Sequence, residues 1–497
     1  FSFFRTALQD FRFTNTLSPI TNLAYHKCGN SQNGEDRVRA YFASNINKIS
    51  GLGFKLDYLY GRGYYNSQAN SMFGSTFYGY HRGERYNIHA YVNINDLKMG
   101  ENGGIENDAY IENPQSFQQK YSSKDIPVML SQTWNRNHEQ NFYLTHKYNL
   151  GFHRDIEVPD SLKPTPPSEG ELLSSLPDSL RQVLHVDSVA RQAMVDSLMR
   201  QWRSQQVTPQ EFVPVTSLIH TFDVRRLNHN NVAHSTPDDY YTHHYFGQWS
   251  DVYDKTRSLA VRNTVGVALR EGFNKWAQMG ITLFGTHELR NYRMPDWTAE
   301  RDTVGNRKYV ENDISVGGEL ARTQGKLIHY NATGEVWLVG QKSGDFSVDG
   351  NIDLDVRLGR RDSLALNVHA YAKHRTPDFY FRHYHSQSAW WDNSLGRELR
   401  TRVDGTLRLR KLGTRLSVGF ENIVNYTYFG MRNTLKDSAN VGSVIPVDYT
   451  RAVSVRQAGG SVRVFSATLA QDLRFGPVHW DSEVTYQKSS DQVSLPL

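Results

Sequence analysis

The stretch "GDFSVDGNIDLDVRLGRRDSLALNVHA", residues 344–370, alternates longer than a soluble strand needs to. From 346 to 358 the even positions are Phe346, Val348, Gly350, Ile352, Leu354, Val356 and Leu358. The odd positions are Ser347, Asp349, Asn351, Asp353, Asp355 and Arg357. After Gly359-Arg360-Arg361-Asp362 the alternation resumes with Leu364, Leu366, Val368 and Ala370. A period of two is a β-strand with one apolar and one polar face. Strands of soluble domains run about 5–6 residues, whereas a tilted membrane-crossing strand needs about 9–11. The length therefore asks whether the apolar face meets a core or lipid.

The pattern recurs along the chain. Tyr86, Ile88, Ala90, Val92 and Ile94 alternate with polar neighbours, as do Val403, Leu407 and Leu409. Roughly 16–18 such segments follow one another, joined by turns, which reads as an antiparallel up-and-down sheet. The connections alternate as well. Short ones at 48–52, 270–275, 359–363, 411–413 and 475–477 are interleaved with longer ones at 63–78, 228–255, 291–306, 375–396 and 428–456. Short turns at one end and long loops at the other mark a transmembrane β-barrel. The expected fold is therefore all-β, with Phe346, Val348, Ile352, Leu354 and Val356 facing lipid. Asp353, Asp355 and Arg357 would then face the lumen, and by the same parity so would Arg408, Arg410, Arg415 and Glu421.

Composition agrees with this reading. The chain has 497 residues, 38% hydrophobic and 22% charged, and a mean hydropathy of −0.61. No apolar run approaches the ~18 residues of a membrane helix, but half of every barrel strand faces water, so a hydrophilic average does not exclude a barrel. A net charge of +5 without dense Lys/Arg clusters argues against nucleic acid as a partner. A single cysteine, Cys28, excludes an internal disulfide and a thiolate metal cage.

Residues 157–214 break the pattern. This segment is polar, opens with "KPTPP" at 163–167, and continues as a helical stretch in which Leu180, Val183 and Leu184 share one face and Ala190, Met194 and Leu198 another. The expected organisation is barrel over 1–156, a helical insert on the short-turn, periplasmic side over 157–214, and barrel again over 215–497.

Several strings carry more than periodicity: "GLGFKLDYLYGRGYYNSQ" at 51–68, "MGENGGIEND" at 99–108, "FVPVTSLIHTF" at 212–222, "LREGFNKWAQMGIT" at 269–282, "RTPDFYFRHYHSQSAWWDN" at 375–393 and "LSVGFENIVNYTYF" at 416–429. In this order they resemble the putative porin family of Bacteroidota outer membranes, over essentially the whole chain. The resemblance implies an outer-membrane barrel, a cleaved signal peptide, and further sequence at both ends, with "SSDQVSLPL" starting another segment. It supplies no substrate and no catalytic residue.

Chemistry-bearing clusters are few. "DFSVDGNIDLDV" imitates a calcium loop, but Val356 stands where a bidentate Glu belongs. His234, Asp238, Asp239, His243 and His244 gather in one outer loop, as metal ligands or as a solvated surface. Trp390 and Trp391, beside His383-Tyr384-His385, could contact a ligand such as a sugar, or fold in and narrow the mouth. The lumen charges could set ion preference, or lock into an internal salt-bridge network. No nucleophile elbow, phosphate loop or HExxH is present, so no enzyme, cofactor or metal site is expected. The expected surroundings are the bilayer and lipopolysaccharide-type lipids, with envelope proteins as partners through the insert or the outer loops. A channel for passive diffusion of small polar solutes is the favoured function. The alternative is a non-conducting barrel serving as a structural or assembly component.

Overall fold

The alternating segments fold as long antiparallel strands, most of them paired with their neighbours in the chain. The computed structural model describes residues 4–5, 8, 11–156, 165–178, 180, 188–205, 210–238, 240–248, 251–273, 278–298, 304–325, 327–358, 362–409, 411–435 and 449–490. In order the strands are β1 (Ile20–Cys28), β2 (Glu35–Asn47), β3 (Ser50–Gly61), β4 (Asn70–Arg82), β5 (Tyr86–Gly100), β6 (Ser131–Asp155) and β7 (Gln210–Ser235). They continue with β8 (Val252–Leu269), β9 (Gly280–Asp296), β10 (Gly305–Arg322), β11 (Ile328–Val339), β12 (Phe346–Leu358), β13 (Asp362–Arg375), β14 (His383–His385) and β15 (Trp390–Asp392). The last are β16 (Glu398–Leu409), β17 (Thr414–Val424), β18 (Thr427–Leu435), β19 (Tyr449–Gln457), β20 (Ser461–Phe475) and β21 (Val478–Ser489). Seventeen of these form the barrel sheet, while β14–β15 and β18–β19 are separate two-stranded hairpins. The helices are α1 (Ala109–Glu112), α2 (Glu169–Ser174), α3 (Ser188–Gln205) and α4 (Phe379–Arg382), and only α3 is longer than two turns. None is long and apolar enough to cross a membrane.

Register explains the two faces. Along β12, Ile352 lies opposite Val368 of β13 and Tyr330 of β11, and Leu354 opposite Leu366 and Ile328. These positions share the outward face, where Phe346, Val348, Ile352 and Val356 are exposed and Leu354 is half-buried. The opposite face pairs polar groups: Asn367 donates to Asp353 at 2.7 Å, and Asp349 lies 3.2 Å from His369 and 3.3 Å from Lys373. The apolar belt has visible limits. On β8 the outward residues Leu259, Val265, Val267 and Leu269 are exposed, and above them the same parity carries Arg257 and Lys255.

Several connections are shorter than the sequence suggests. β4 already begins at Asn70, β7 runs to Ser235 before β8 starts at Val252, and β9 and β10 reach Asp296 and Gly305. The long loops expected at 63–78, 228–255 and 291–306 are thus partly strand. Beyond the belt the outward face no longer has to be apolar, so pairing persists while alternation disappears. The turn at 411–413 closes through Gly413 at φ +63°, where a Cβ would meet the Asp472 carbonyl oxygen at 2.1 Å. Residues Gly359, Arg360 and Arg361 of the opening turn lie outside the described residues.

The chain divides into two units, residues 1–149 with 216–497, and 150–215. The smaller one carries α2, begun by a capping box in which Ser168 and Glu171 satisfy each other's backbone. Leu172 of α2 and Val195 of α3 are buried, and Arg191 pairs with Glu169 at 2.8 Å. Val183 and Leu184 lie outside the described residues.

The belt makes a sharp prediction. Ile352→Arg should destabilise the protein by about 2–4 kcal/mol in equilibrium unfolding from lipid vesicles, while Asn351→Arg should cost far less. In a Cys28→Ser background, Ile352→Cys should react with a bilayer-resident reagent and Asp353→Cys with a small water-soluble one. Equal labelling of the two would contradict the assigned faces.

Candidate functional site

The inner wall of β12, β13, β16 and β17 is a ladder of paired charges. Arg402 bonds Asp404 at 2.7 Å, Asp404 lies 3.4 Å from His369, and His369 lies 3.2 Å from Asp349. Glu421 accepts from the Tyr371 hydroxyl at 3.0 Å and faces Arg400 and Arg402, each at 3.8 Å. Arg408 and Arg415 stand directly opposite each other, a like-charged pair, and Arg415 is compensated by Glu483 at 2.8 Å. Asp353 and Arg357 are exposed on this face, and the backbone N–H of Asp355 donates to the Leu327 carbonyl. Arg410 lies outside the described residues.

Residues 376–397 connect β13 to β16, and they fold inward. The entry is pinned by Asp345, which accepts from the Thr376 N–H at 2.8 Å and its hydroxyl at 3.0 Å. Phe379 of α4 then stacks flat on Tyr292 of β9, with centroids 3.7 Å apart. Arg382 pairs with Glu311 of β10. Glu311 also faces Arg290 at 3.1 Å, Arg290 pairs with Asp313, and Lys342 closes on Glu288 at 2.9 Å. Three cations and three carboxylates thus balance in a largely buried cluster, whose members each depend on the others for compensation.

The hairpin β14–β15 extends the infold. His385 is fully buried, stacked on Trp390 at 3.8 Å, with Nδ1 donating to the Pro295 carbonyl at 3.1 Å. Its Nε2 lies 3.0 Å from Asp392, which His383 also contacts at 2.6 Å. Burial works against the Asp392 charge, but hydrogen bonds from the two histidines outweigh it and hold the carboxyl below its usual range. Trp391 donates its indole N–H to the Tyr380 carbonyl at 3.0 Å. Both tryptophans are therefore half-buried parts of the infold. At its tip the Gln387 N–H donates to Asp254 at 2.9 Å. Asp254 is 1% exposed, its other carboxylate oxygen has no hydrogen-bond partner among the described residues, and burial raises its pKa to about 6.

A second segment lines the wall of β2–β5. Phe11 packs on Tyr78 and Tyr91, Phe13 on Tyr78 and His89, and Asn15 accepts from Asn45 at 2.7 Å. Tyr78 and Tyr80 themselves lie over Gly53 and Gly51, where a Cβ would come within 2.5 and 2.6 Å of the rings' atoms.

The proposed histidine cluster disperses. His234 pairs with Asp251 at 2.8 Å, His244 lies 3.0 Å from Gln387, and Asp239 lies outside the described residues. Metal-ligand spacing among the described residues occurs instead at Asp472, His479 and Asp481, at the β20–β21 turn. The buried groups Arg290, Glu311, Asp313, Arg382 and Asp254 were not singled out from sequence. The alternation Glu288-x-Arg290 and Glu311-x-Asp313 marks them as inward, but nothing local shows that a distant loop meets them.

The sequence profile of the family described as "Putative porin" matches residues 1–497. No curated protein matches the chain. Among solved structures it is similar in fold to the siderophore receptor PirA from Acinetobacter baumannii, at 11% identity and a TM-score of 0.53, over 96% of this chain and 63% of that one. A mutant ferric enterobactin receptor, PfeA, from Pseudomonas aeruginosa gives 8% and 0.52, over 95% and 62%. The copper transporter OprC gives 8% and 0.51, over 96% and 62%. The chain thus spans less than two thirds of the length of these three structures.

Two measurements test the seating of the infold. Arg382→Ala leaves Glu311 with Arg290 alone, and should raise local opening of 379–392 by about 3 kcal/mol in hydrogen exchange. The second concerns Asp254. Its folded pKa of about 6 exceeds the ordinary 3.8, so its contribution to stability is full below about pH 4 and is lost as pH rises through about 6. Amide protection at 385–389 should be greater at pH 5 than at pH 7.5, after correction for intrinsic exchange. Asp254→Asn should abolish that difference.

Proposed function

Since the chain belongs to the putative porin family and is an outer-membrane β-barrel protein, we propose that it is a channel for passive diffusion of small polar solutes, narrowed from within by residues 376–397. Wall side chains alone leave an aqueous lumen once a barrel reaches about 16 strands. The single observation that carries the reading is the burial of Arg382 against Glu311, which ties the connecting loop to the inner wall. A loop held there sets the size limit, and the charged ladder beside it biases which ions pass. Its aromatic residues are turned inward, which weighs against a role as an outward docking surface. The chemistry required is exclusion by size and charge, with no bond made or broken.

Planar-bilayer recording of the full-length protein tests this. The native protein should conduct. A variant in which residues 379–392 are replaced by a short Gly/Ser linker should show a several-fold larger unitary conductance and a higher solute size limit in liposome swelling. Silence in both forms would point to the structural alternative.

A further inference from the structure

Between the infolded loop, the wall strands β6–β8 and the hairpin β18–β19 lies a cavity of about 430 Å³. That volume falls at the small-ligand end of the range of about 300–1,000 Å³. Its lining differs from the rest of the inner wall. The ladder from Asp349 to Glu421 is charged at nearly every rung, whereas among the described residues no Asp, Glu, Lys or Arg lines the cavity. An ion entering it would lose hydration and find no countercharge.

The lining is of two kinds. Tyr241, Tyr380, Tyr384, Trp391 and Phe429 supply aromatic faces. Neutral hydrogen-bonding groups stand among them. His229 gives its Nδ1 proton to Asn137 at 2.7 Å, which leaves Nε2 as an acceptor. The side chains of Asn231 and Ser388 make no hydrogen bond among the described residues, so an amide and a hydroxyl remain to donate and accept.

A pyranose ring matches both kinds at once. Its axial C–H face is weakly positive and packs on the electron-rich face of an aromatic ring, and its equatorial hydroxyls both donate and accept. A purely aromatic ligand would fill the space but leave the amide, imidazole and hydroxyl unmatched, and unmatched polar groups discriminate strongly. We propose that this cavity is a binding subsite for a neutral saccharide, stacked on the loop aromatics and hydrogen-bonded through Asn231, His229 and Ser388. The proposal rests on the channel reading and deepens it by naming the class of solute. The loop that narrows the passage thereby also supplies half of the subsite.

The test uses the full-length protein in detergent and in planar bilayers, with maltose and cellobiose as neutral probes and gluconate as the charged control. Both disaccharides, or one of them, should quench tryptophan fluorescence saturably in the millimolar range and interrupt the channel current. Gluconate should do neither. Trp391→Ala should weaken binding about tenfold and Trp391→Phe far less, because the second keeps an aromatic face. Trp391 also anchors the loop, so Asn231→Leu on the wall strand serves as the independent variant. It should weaken binding about tenfold with hydrogen-exchange protection of 379–392 unchanged. Conduction without saturable binding of either disaccharide would overturn the subsite and leave the channel standing. Unchanged affinity in Asn231→Leu, or tighter binding of gluconate, would also overturn it. Saturable binding without any current would uphold the subsite and overturn the channel.

Discussion

Hydrocarbon offers no hydrogen bonds, so every peptide N–H and C=O that crosses it must be paired within the protein. The antiparallel ladder meets that demand, and most other features follow from it. Once the backbone is paired, side chains can only alternate, and the outward set must be apolar. A slip of one residue along β12 would turn Asp349, Asp353 and Arg357 toward lipid and bring Val348, Ile352 and Val356 inside. The register is therefore held by lipid as firmly as by its hydrogen bonds. Where the belt ends, at Arg257 and Lys255 on β8, the ladder continues without that discipline.

The interior has a different constraint. Charges there are tolerated when each has a partner, and the wall supplies partners in register: Arg402 with Asp404, Arg415 with Glu483, Lys373 with Asp349. In the Arg382 cluster the pairing reaches across from the wall to a loop. On the channel reading, one set of residues thereby governs both the stability of the infold and the width of the passage. Variants that loosen it should alter the two properties together.

The strands were readable from sequence where lipid enforces alternation, as at Phe346 to Leu358, and the seventeen strands of the sheet fall within the roughly 16–18 read from periodicity. Their ends were not, because Asn228 to Ser235 and Asn291 to Asp296 pair as strands with no apolar face to advertise it. The loop at 375–393 announced itself through Trp390, Trp391 and its histidines, but its destination did not. Arg382 and Glu311 are 71 positions apart, and Gln387 and Asp254 are 133 apart, so no local pattern links them. The cavity was equally invisible, since Asn231 and Ser388 look like ordinary polar residues until the loop brings them together.

That distribution of sequence separations also orders assembly. Among the described residues, each pairing of the seventeen-stranded sheet joins strands that are consecutive along the chain or separated only by the hairpin β14–β15 or β18–β19, so hairpins can form and zip in sequence with little loop-closure entropy. The long-range contacts belong to the infold and its neighbours: Thr242 with Thr450, 208 positions apart, and Arg451 with Met129, 322 apart. These require most of the wall to exist beforehand. The interior contacts should therefore form late and be the first lost, so that, if the barrel is the channel proposed above, an incompletely assembled protein would be a wall without its constriction: a leak, against which a cell envelope has reason to guard.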